Sequence, residues 1–300
     1  MSAQDPGALE VFVPFWGDPA LLYATVESVK AQTDPGWTVV VVDDCYPDPT
    51  VAEHFAAETD PRICYVRNET NLGITDNYQR CRDLASGELM MFMGCDDLMH
   101  PTFVETVKAA HREFPDAATI QVGVRVIDEH DAPIDPLTDK VKRAVRGRIT
   151  QRTELGGEAL ATSLLRGAWH YWPALVFRTE RVRAYPFREG LPIIQDLALL
   201  IDMTVAGETL VVDPTVCFSY RRHTQSASAT SLLHGNRFSD ERRYYASAAE
   251  QVAGRGWTRA ARTARIRWTS RLHAVTLLPT AARRRERTAV RSLLTHALER

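Results

Sequence analysis

Lysine is nearly absent from this 300-residue chain: Lys30, Lys108, Lys140 and Lys142 stand against 32 arginines. The skew fits a GC-rich genome better than any physical requirement. Cysteine is scarce and scattered, with Cys45, Cys64, Cys81, Cys95 and Cys217 odd in number and never in a CxxC spacing. That excludes a disulfide framework and a zinc-binding module, and it points to a reducing cytosol. No apolar run approaches the roughly 18 residues that a membrane-spanning helix needs. The opening "MSAQDPGALE" has neither a basic start nor an apolar core, so no signal peptide is expected. Signature motifs are missing as well. There is no GxGxxG after a strand, no GxxxxGK[ST] and no GxSxG elbow. Dinucleotide redox, P-loop and α/β serine-hydrolase chemistry are therefore left without an anchor. Net charge is only −2, which points to no polyanionic partner such as nucleic acid.

What is present is an alternation of short β-rich runs and helical patterns, in a chain whose 45% apolar content suffices for one large domain with an appendage. Strands are expected at "EVFVPF" (10–15), "WTVVVVDD" (37–44), "ICYVR" (63–67), "ELMMFM" (88–93) and "ATIQVGVRVI" (118–127). The near-continuous apolar character of the second and fourth implies a sheet covered on both faces. Between them, "DPALLYATVESVKAQ" carries Asp18 as N-cap, Pro19 at the first helical position and Leu22, Val26 and Val29 at helical spacing. The pattern "ITDNYQRCRDLASG" ends in Gly87, where a C-cap glycine belongs, and "HPTFVETVKAAHREFP" stops before Pro115. Alternation of this kind predicts an α/β fold with a doubly wound, mostly parallel sheet.

Residues 128–153 are polar and read as a loop over one face. A helix (157–165), a strand in "PALVFR", the helix "DLALLIDMTVAG" and the strands "TLVVD" and "VCFSYRR" follow. From Phe238 the pattern is helical and arginine-rich. The segment from Arg237 to Arg300 holds 15 arginines and 5 acids, about +10, whereas the other 236 residues carry 21 basic and 33 acidic groups, −12. The expected division is 1–130, 131–236 and a basic helical extension over 237–300.

Four polar clusters sit at the carboxyl ends of the first four strands, where ligands bind in open α/β sheets: "PFWGD", "DDCYPD", "RNETNLG" and "GCDDLMHP". Any one alone reads as a turn or a cap. Together they gather two acid pairs on one rim. In the last cluster Asp96 and Asp97 adjoin a buried strand, and adjacent carboxylates repel unless something faces them. A hard divalent cation, Mn²⁺ or Mg²⁺, resolves the repulsion; such ions take oxygen ligands and are completed by substrate phosphates. The plainer reading gives Asp97 to capping the helix that begins near Pro101.

The ordered set "VFVPFWGD…VESVKAQTDPGWTVVVVDDCYPDP…RNETNLGITDNYQRC…GELMMFMGCDDLMHP" resembles the nucleotide-binding half of the inverting family-2 glycosyltransferases, which have the GT-A fold. The resemblance covers residues 9–130 strongly and 155–230 more loosely. It implies that Pro14 and Trp16 grip the nucleotide base, and that Asp43 or Asp44, with Asp44 preferred, hydrogen-bonds it. Asn71, Gly73, Asn77 and Arg80 join the nucleotide site. Asp96 and Asp97 share ribose and metal contacts, with Gly94 standing where many members carry a further Asp. Asn77, Tyr78 and Gln79 depart from a basic segment of many members, and Arg80 is a substitute.

In the second half, the resemblance makes Asp196 of "LPIIQDLALLIDM" the general base, with an N-cap as the plainer alternative. A sugar hydroxyl is a poor nucleophile and needs a carboxylate to take its proton. In "YRRHTQSAS", His223 completes the metal shell, and Arg221 and Arg222 contact the diphosphate. "GAWHYWPAL" offers Trp169, His170, Tyr171 and Trp172 as an acceptor platform or as core aromatics. The tail "TAARRRERTAVRSLLTHALER" reads as an amphipathic helix with Val290, Leu293, Leu294 and Ala297 on one side. It suits an anionic membrane surface at the inner face of the plasma membrane, packing on the acidic body, or a homodimer contact. The expected activity is metal-dependent transfer from a nucleotide-diphosphate sugar, UDP- or dTDP-linked, to a hydroxyl acceptor in assembly of a cell-surface glycan, glycolipid or glycosylated metabolite. Two alternatives stand: a non-catalytic nucleotide-sugar or glycan binder on a degenerate fold, and a sugar nucleotidyltransferase, whose usual GxGTRL-like segment is missing after strand one.

Overall fold

A computed structural model of the chain describes residues 7–222, 236–283 and 286–298. Among these, nine strands form one sheet: β1 (Leu9–Phe15), β2 (Trp37–Asp43), β3 (Ile63–Arg67), β4 (Leu89–Phe92), β5 (Leu98–Met99), β6 (Thr119–Ile127), β7 (Thr153–Leu155), β8 (Leu175–Arg178) and β9 (Leu210–Arg221). The order is β3-β2-β1-β4-β8-β6-β9-β5, with β7 also on β9. The β3-β2-β1-β4 block is parallel, as is β6 with β9. β8 runs antiparallel between β4 and β6.

Side chains alternate across β1 because successive Cβ atoms point to opposite faces. Leu9, Val11, Val13 and Phe15 enter one core and Phe12 the other. The first core is closed by α1 (Pro19–Lys30) and α4 (Phe103–Glu113), through Leu22, Val26, Phe103 and Val107. Asp18 accepts from the Ala20 amide at 2.8 Å, so this helix starts where its cap and proline dictate. The other core is covered by α6 (Gly157–Gly167) and α8 (Gln195–Ala206). Each fully buried Leu, Val or Phe there contributes about 1.5–3 kcal/mol. The doubly wound sheet expected from the alternation is thus present.

The connections hold α2 (Thr50–Ala56), α3 (Ile74–Leu84), α5 (Leu137–Arg146) and α7 (Thr179–Arg183). Four helices follow among the described residues: Asn236–Gly254, Thr258–Ile266, Trp268–Arg283 and Arg287–Leu298. The first sends Tyr244, Ala248 and Val252 into the main core.

Several expectations are corrected. The segment 128–153 is not a bare loop, since it contains α5 and runs into β7. The two strands foreseen in 209–222 are one, β9, running through Pro214 opposite a ladder irregularity at Gly123. A Cβ at Gly123 would lie 2.7 Å from the Pro214 carbonyl oxygen, so the close approach requires glycine. Gly87 does not cap α3, which stops at Leu84; its amide donates to Glu10 Oε2 at 2.8 Å. In the tail, Leu293 is buried and Val290 packs beside it against Phe238, Ala274 and Ala281, so the apolar face foreseen there mostly closes on its own bundle. Leu294 of that face stays exposed, and a further exposed apolar row lies on Trp268, Leu272 and Val275.

Candidate functional site

The site is built from strand ends. At the end of β1, Trp16 is 53% exposed and stands edge-on to Tyr46, with ring centroids 5.5 Å apart. Pro14, half-buried, pairs with Val42 in the ladder. Asp43 at the end of β2 is wholly buried, and its oxygens accept from the Tyr46 amide (2.7 Å), the Tyr65 hydroxyl and Arg67 (3.1 Å). No surface of Asp43 is left for a base, which overturns that half of the expectation. Asp44, 2% exposed, accepts from Asn68 Nδ2 at 2.9 Å and from the Leu72 and Gly73 amides at 2.8 and 2.9 Å. It therefore shapes the "NLG" turn, in which Asn71 is exposed and Gly73 takes φ +83°, and its two oxygens, like those of Asp43, are taken up internally. Asn77 is buried and donates to the Val42 carbonyl at 3.1 Å, a structural tie and not an exposed nucleotide contact. Arg80 is exposed on α3. Tyr78, at the position of the departure, faces inward onto Phe92 and Trp172.

The acid pair follows β4. Asp97 is 1% exposed; its Oδ1 accepts from the Arg221 amide at 2.8 Å, while Oδ2 is buried with no hydrogen-bond partner. Burial, and then the neighbouring Asp96 charge, push the Asp97 carboxyl well above the ordinary value, against the opposing Arg221 amide and guanidinium. The helix-cap reading fails, because Thr102 is the N-cap of α4 and Asp97 does not reach it. Gly94 acquires a physical reason. A Cβ there would meet Asp97 Oδ2 at 2.5 Å and Asp96 Oδ1 at 2.9 Å. Both carboxylate oxygens border the hollow that the missing side chain leaves. An orphaned buried oxygen beside a second carboxylate is a donor set that fits Mn²⁺ or Mg²⁺. Among the described residues no group of three or more His, Cys, Asp or Glu side chains forms a complete cage, so waters and substrate oxygens would supply the remaining ligands. His223 lies outside the described residues.

Arg221 is corrected. It is 4% exposed, and its guanidinium is consumed by the Asp96 carbonyl (2.7 Å), the Asp128 carbonyl (3.1 Å) and Asp131 (2.6 Å). It clamps the acid-pair loop, and its burial turns the guanidinium inward onto that loop and away from an open diphosphate site. Arg222 is partly exposed and pairs with Asp139 at 2.9 Å.

Asp139 opens the second half of the site. It sits on α5 with no exposure and accepts from the Tyr171 hydroxyl at 2.7 Å. Three residues on, Lys142 donates to the His170 carbonyl at 2.9 Å. Burial, then the Arg222 charge, pull its pKa down to about 8. His170 Nε2 in turn lies 3.0 Å from Asp196 Oδ2. Asp196, in the first turn of α8, is not the N-cap, which is Ile194. Burial favours its neutral form, but His170, the Leu197 amide at 2.7 Å and Lys142 outweigh it and hold the carboxyl below its usual value. Asp196 is therefore an ionised, oriented, partly open carboxylate.

The aromatic platform divides. Trp169 is 1% exposed in the core, with its indole N–H on Ser163 at 2.8 Å, so it cannot stack on an acceptor. His170 is buried beneath Asp196 and supports it. Trp172 is partly buried and stacks on Phe92, with centroids 5.2 Å apart and planes 11° from parallel. Sequence reasoning missed Asp139, Lys142 and the role of Tyr171, all tied to α5. The signal was there: Leu137, Val141 and Val145 recur every four residues between Pro136 and Gly147.

Comparison with known proteins bears on this geometry. The profile described as "Glycosyl transferase family 2" matches residues 10–164. The y4gI protein of Sinorhizobium fredii is 33% identical over 121 residues, 39% of this chain and 13% of that protein. The colanic acid biosynthesis glycosyl transferase WcaA of Escherichia coli, a putative assignment, is 28% identical over 106 residues, 35% of this chain and 38% of that one. The match thus spans well under half the length of these two curated relatives. In fold, the chain is similar to S. aureus TarS 1–349 in complex with UDP-GlcNAc, with a TM-score of 0.64 at 14% identity over 97% of this chain and 90% of that one.

Proposed function

Because the chain belongs to glycosyl transferase family 2, we propose that it transfers a sugar from a nucleotide-diphosphate donor, UDP- or dTDP-linked, to a hydroxyl acceptor with inversion. The observation that carries this reading is Asp97 Oδ2, buried without a donor beside Asp96 and the hollow at Gly94. A divalent ion held there, Mn²⁺ or Mg²⁺, would neutralise charge on the departing diphosphate. Trp16 and Tyr46 border a slot for the base, which Asp44 shapes through the turn it fixes. Asp196 takes the proton from the acceptor hydroxyl as it attacks opposite the leaving group. Its depressed pKa keeps it ionised at neutral pH, at some cost in basicity. Trp172, partly buried against Phe92, is the ring of the platform left for an acceptor contact.

The partner set includes an anionic membrane surface presenting a lipid-linked acceptor. Trp268, Leu272 and Val275 are 49%, 53% and 46% exposed and recur at helical spacing within the arginine-rich extension. No helix among the described residues is long and apolar enough to cross a membrane, so such contact would be peripheral. Vesicles rich in phosphatidylglycerol should float the protein, and W268S/L272S should abolish flotation. A dimer dissociated by the same substitutions, with no flotation of either form, would reassign the face to self-association.

A thermal-shift panel tests the donor reading. UDP- and dTDP-sugars should raise the melting temperature with Mn²⁺ and much less without it, since a ligand binding only the folded state stabilises it. A shift with no transfer or slow hydrolysis of any donor would favour a non-catalytic binder.

A further inference from the structure

An open cleft of about 470 Å³ lies at the carboxyl end of α5, lined by Arg143, Arg146, Arg148 and Ile149 among others. Its walls are fixed. Val145 and Ile149 pack on the main core, and α6 presses against Val145 so closely that a Cβ on Gly167 would sit 3.0 Å from Val145 Cγ2. Gly147, at φ +80°, turns the chain and brings Arg148 round to the same opening.

Three arginines of one short stretch therefore line the same hollow, and they are poorly neutralised. Only Arg143 has an acid partner among the described residues, Asp135 at 2.5 Å. Arg146 buries its Nε with no acceptor. Burial and the nearby Arg143 charge both work against its charged form, with only Tyr171 opposing. Arginines in a last helical turn are often there for the helix dipole, but that benefit acts at the exposed carbonyl end. It leaves a buried donor without an acceptor unexplained, and such groups are normally satisfied. A cluster of guanidinium forks is the arrangement that binds phosphate oxygens bidentately.

The cleft is also joined to the proposed reaction centre. Asp139, Lys142 and Arg146 recur at three- and four-residue spacing and so share one face of α5. Lys142 reaches the His170 carbonyl, and His170 supports Asp196. The proposed place of the donor diphosphate, at Asp96 and Asp97, is not part of this cleft, whose lining comes from residues 143–149.

We propose that the cleft binds a phosphate or phosphodiester group of the acceptor and aims the reacting hydroxyl at Asp196. The word acceptor rests on the transferase reading above; the anion site itself does not. The test is calorimetric titration of the full chain, held saturated with UDP and Mn²⁺, with inorganic phosphate and with glycerol 3-phosphate. Both should bind, the ester more tightly, and R146Q/R148Q should weaken both at least tenfold while leaving UDP affinity unchanged. R148Q alone, at an exposed position, should give part of the loss with the melting temperature unchanged. Phosphate that competes with UDP, or that binds the variants as well as the native chain, would overturn the proposal. So would the absence of binding to the native chain. If UDP itself fails to bind but phosphate still titrates the arginines, the transferase reading fails and the anion site stands.

Discussion

The two halves of the site are held together by different means. On the donor side, each carboxylate has at least one backbone amide: Asp43 the Tyr46 amide, beside Tyr65 and Arg67, Asp44 the Leu72 and Gly73 amides, beside Asn68, and Asp97 the Arg221 amide. On the acceptor side, charged side chains lean on one another and on aromatic hydroxyls, from Arg222 through Asp139 to Tyr171, with Lys142 and His170 leading to Asp196. Amide-anchored carboxylates make a rigid rim whose shape survives changes of charge. A chain of mutually compensating charges is different, because removing one member alters the protonation of the rest. On the function proposed above, the first half would grip the diphosphate and the second would tune the base.

The largest effect should come from Asp196→Asn. It keeps the Leu197 contact but removes the proton acceptor, so transfer should fall by about 10²–10⁴ while UDP affinity stays within about twofold. Surviving activity in a turnover assay would transfer the base role elsewhere.

Next is Asp97→Asn. The Arg221 amide still finds an oxygen, and a buried carboxylate with an unpartnered Oδ2 is relieved. The melting temperature of the ligand-free protein should hold or rise, while the Mn²⁺-dependent gain in UDP affinity, about tenfold or more, disappears. A lowered melting temperature with the metal-dependent gain retained would mean that Asp97 is purely structural, and the contrast between the two halves would break.

Gly94→Ala probes the hollow itself. A methyl group at 2.5 Å from Asp97 Oδ2 must displace one carboxylate. The expected cost is about 1–3 kcal/mol by denaturant titration, with a matching loss of metal response. An alanine tolerated on both counts would show that the hollow is not used.

The smallest effect sharpens the acceptor side. The folded-state pKa of Lys142, about 8, lies below its ordinary 10.5, so the unfolded chain binds more protons between those values. Stability then rises with pH across that window, and below pH 8 the native state carries the full penalty of a buried charge. Lys142→Met should therefore be more stable than the native protein near pH 7, with the gap narrowing as pH climbs from 8 toward 10.5. A gap independent of pH would mean that Lys142 titrates normally.

This contrast also explains what could be read from the residues alone. Donor-side contacts run between motifs that end successive strands, so the strand pattern and the clusters "DD", "NLG" and "GCDD" indicate rim and neighbours together. Yet the same reading gave Asp43 and Asn77 to the ligand when their partners are internal, because a turn-forming acid and a ligand-facing one look alike in sequence. Arg221 misled for a related reason: its charge fitted a diphosphate, but burial turned it onto the Asp96 carbonyl. The acceptor side joins positions 139, 142, 170, 196 and 222, which no local pattern links. Its key helix was hidden in a segment too polar to attract attention, because the residue that α5 buries is Asp139.

Crystals grown with Mn²⁺ and UDP provide the most direct test, read by the anomalous signal of manganese. The account expects a manganese peak beside Asp97 Oδ2 when UDP is seated. A map with UDP seated, no manganese peak and Asp97 Oδ2 hydrogen-bonded only to protein amides would contradict the account.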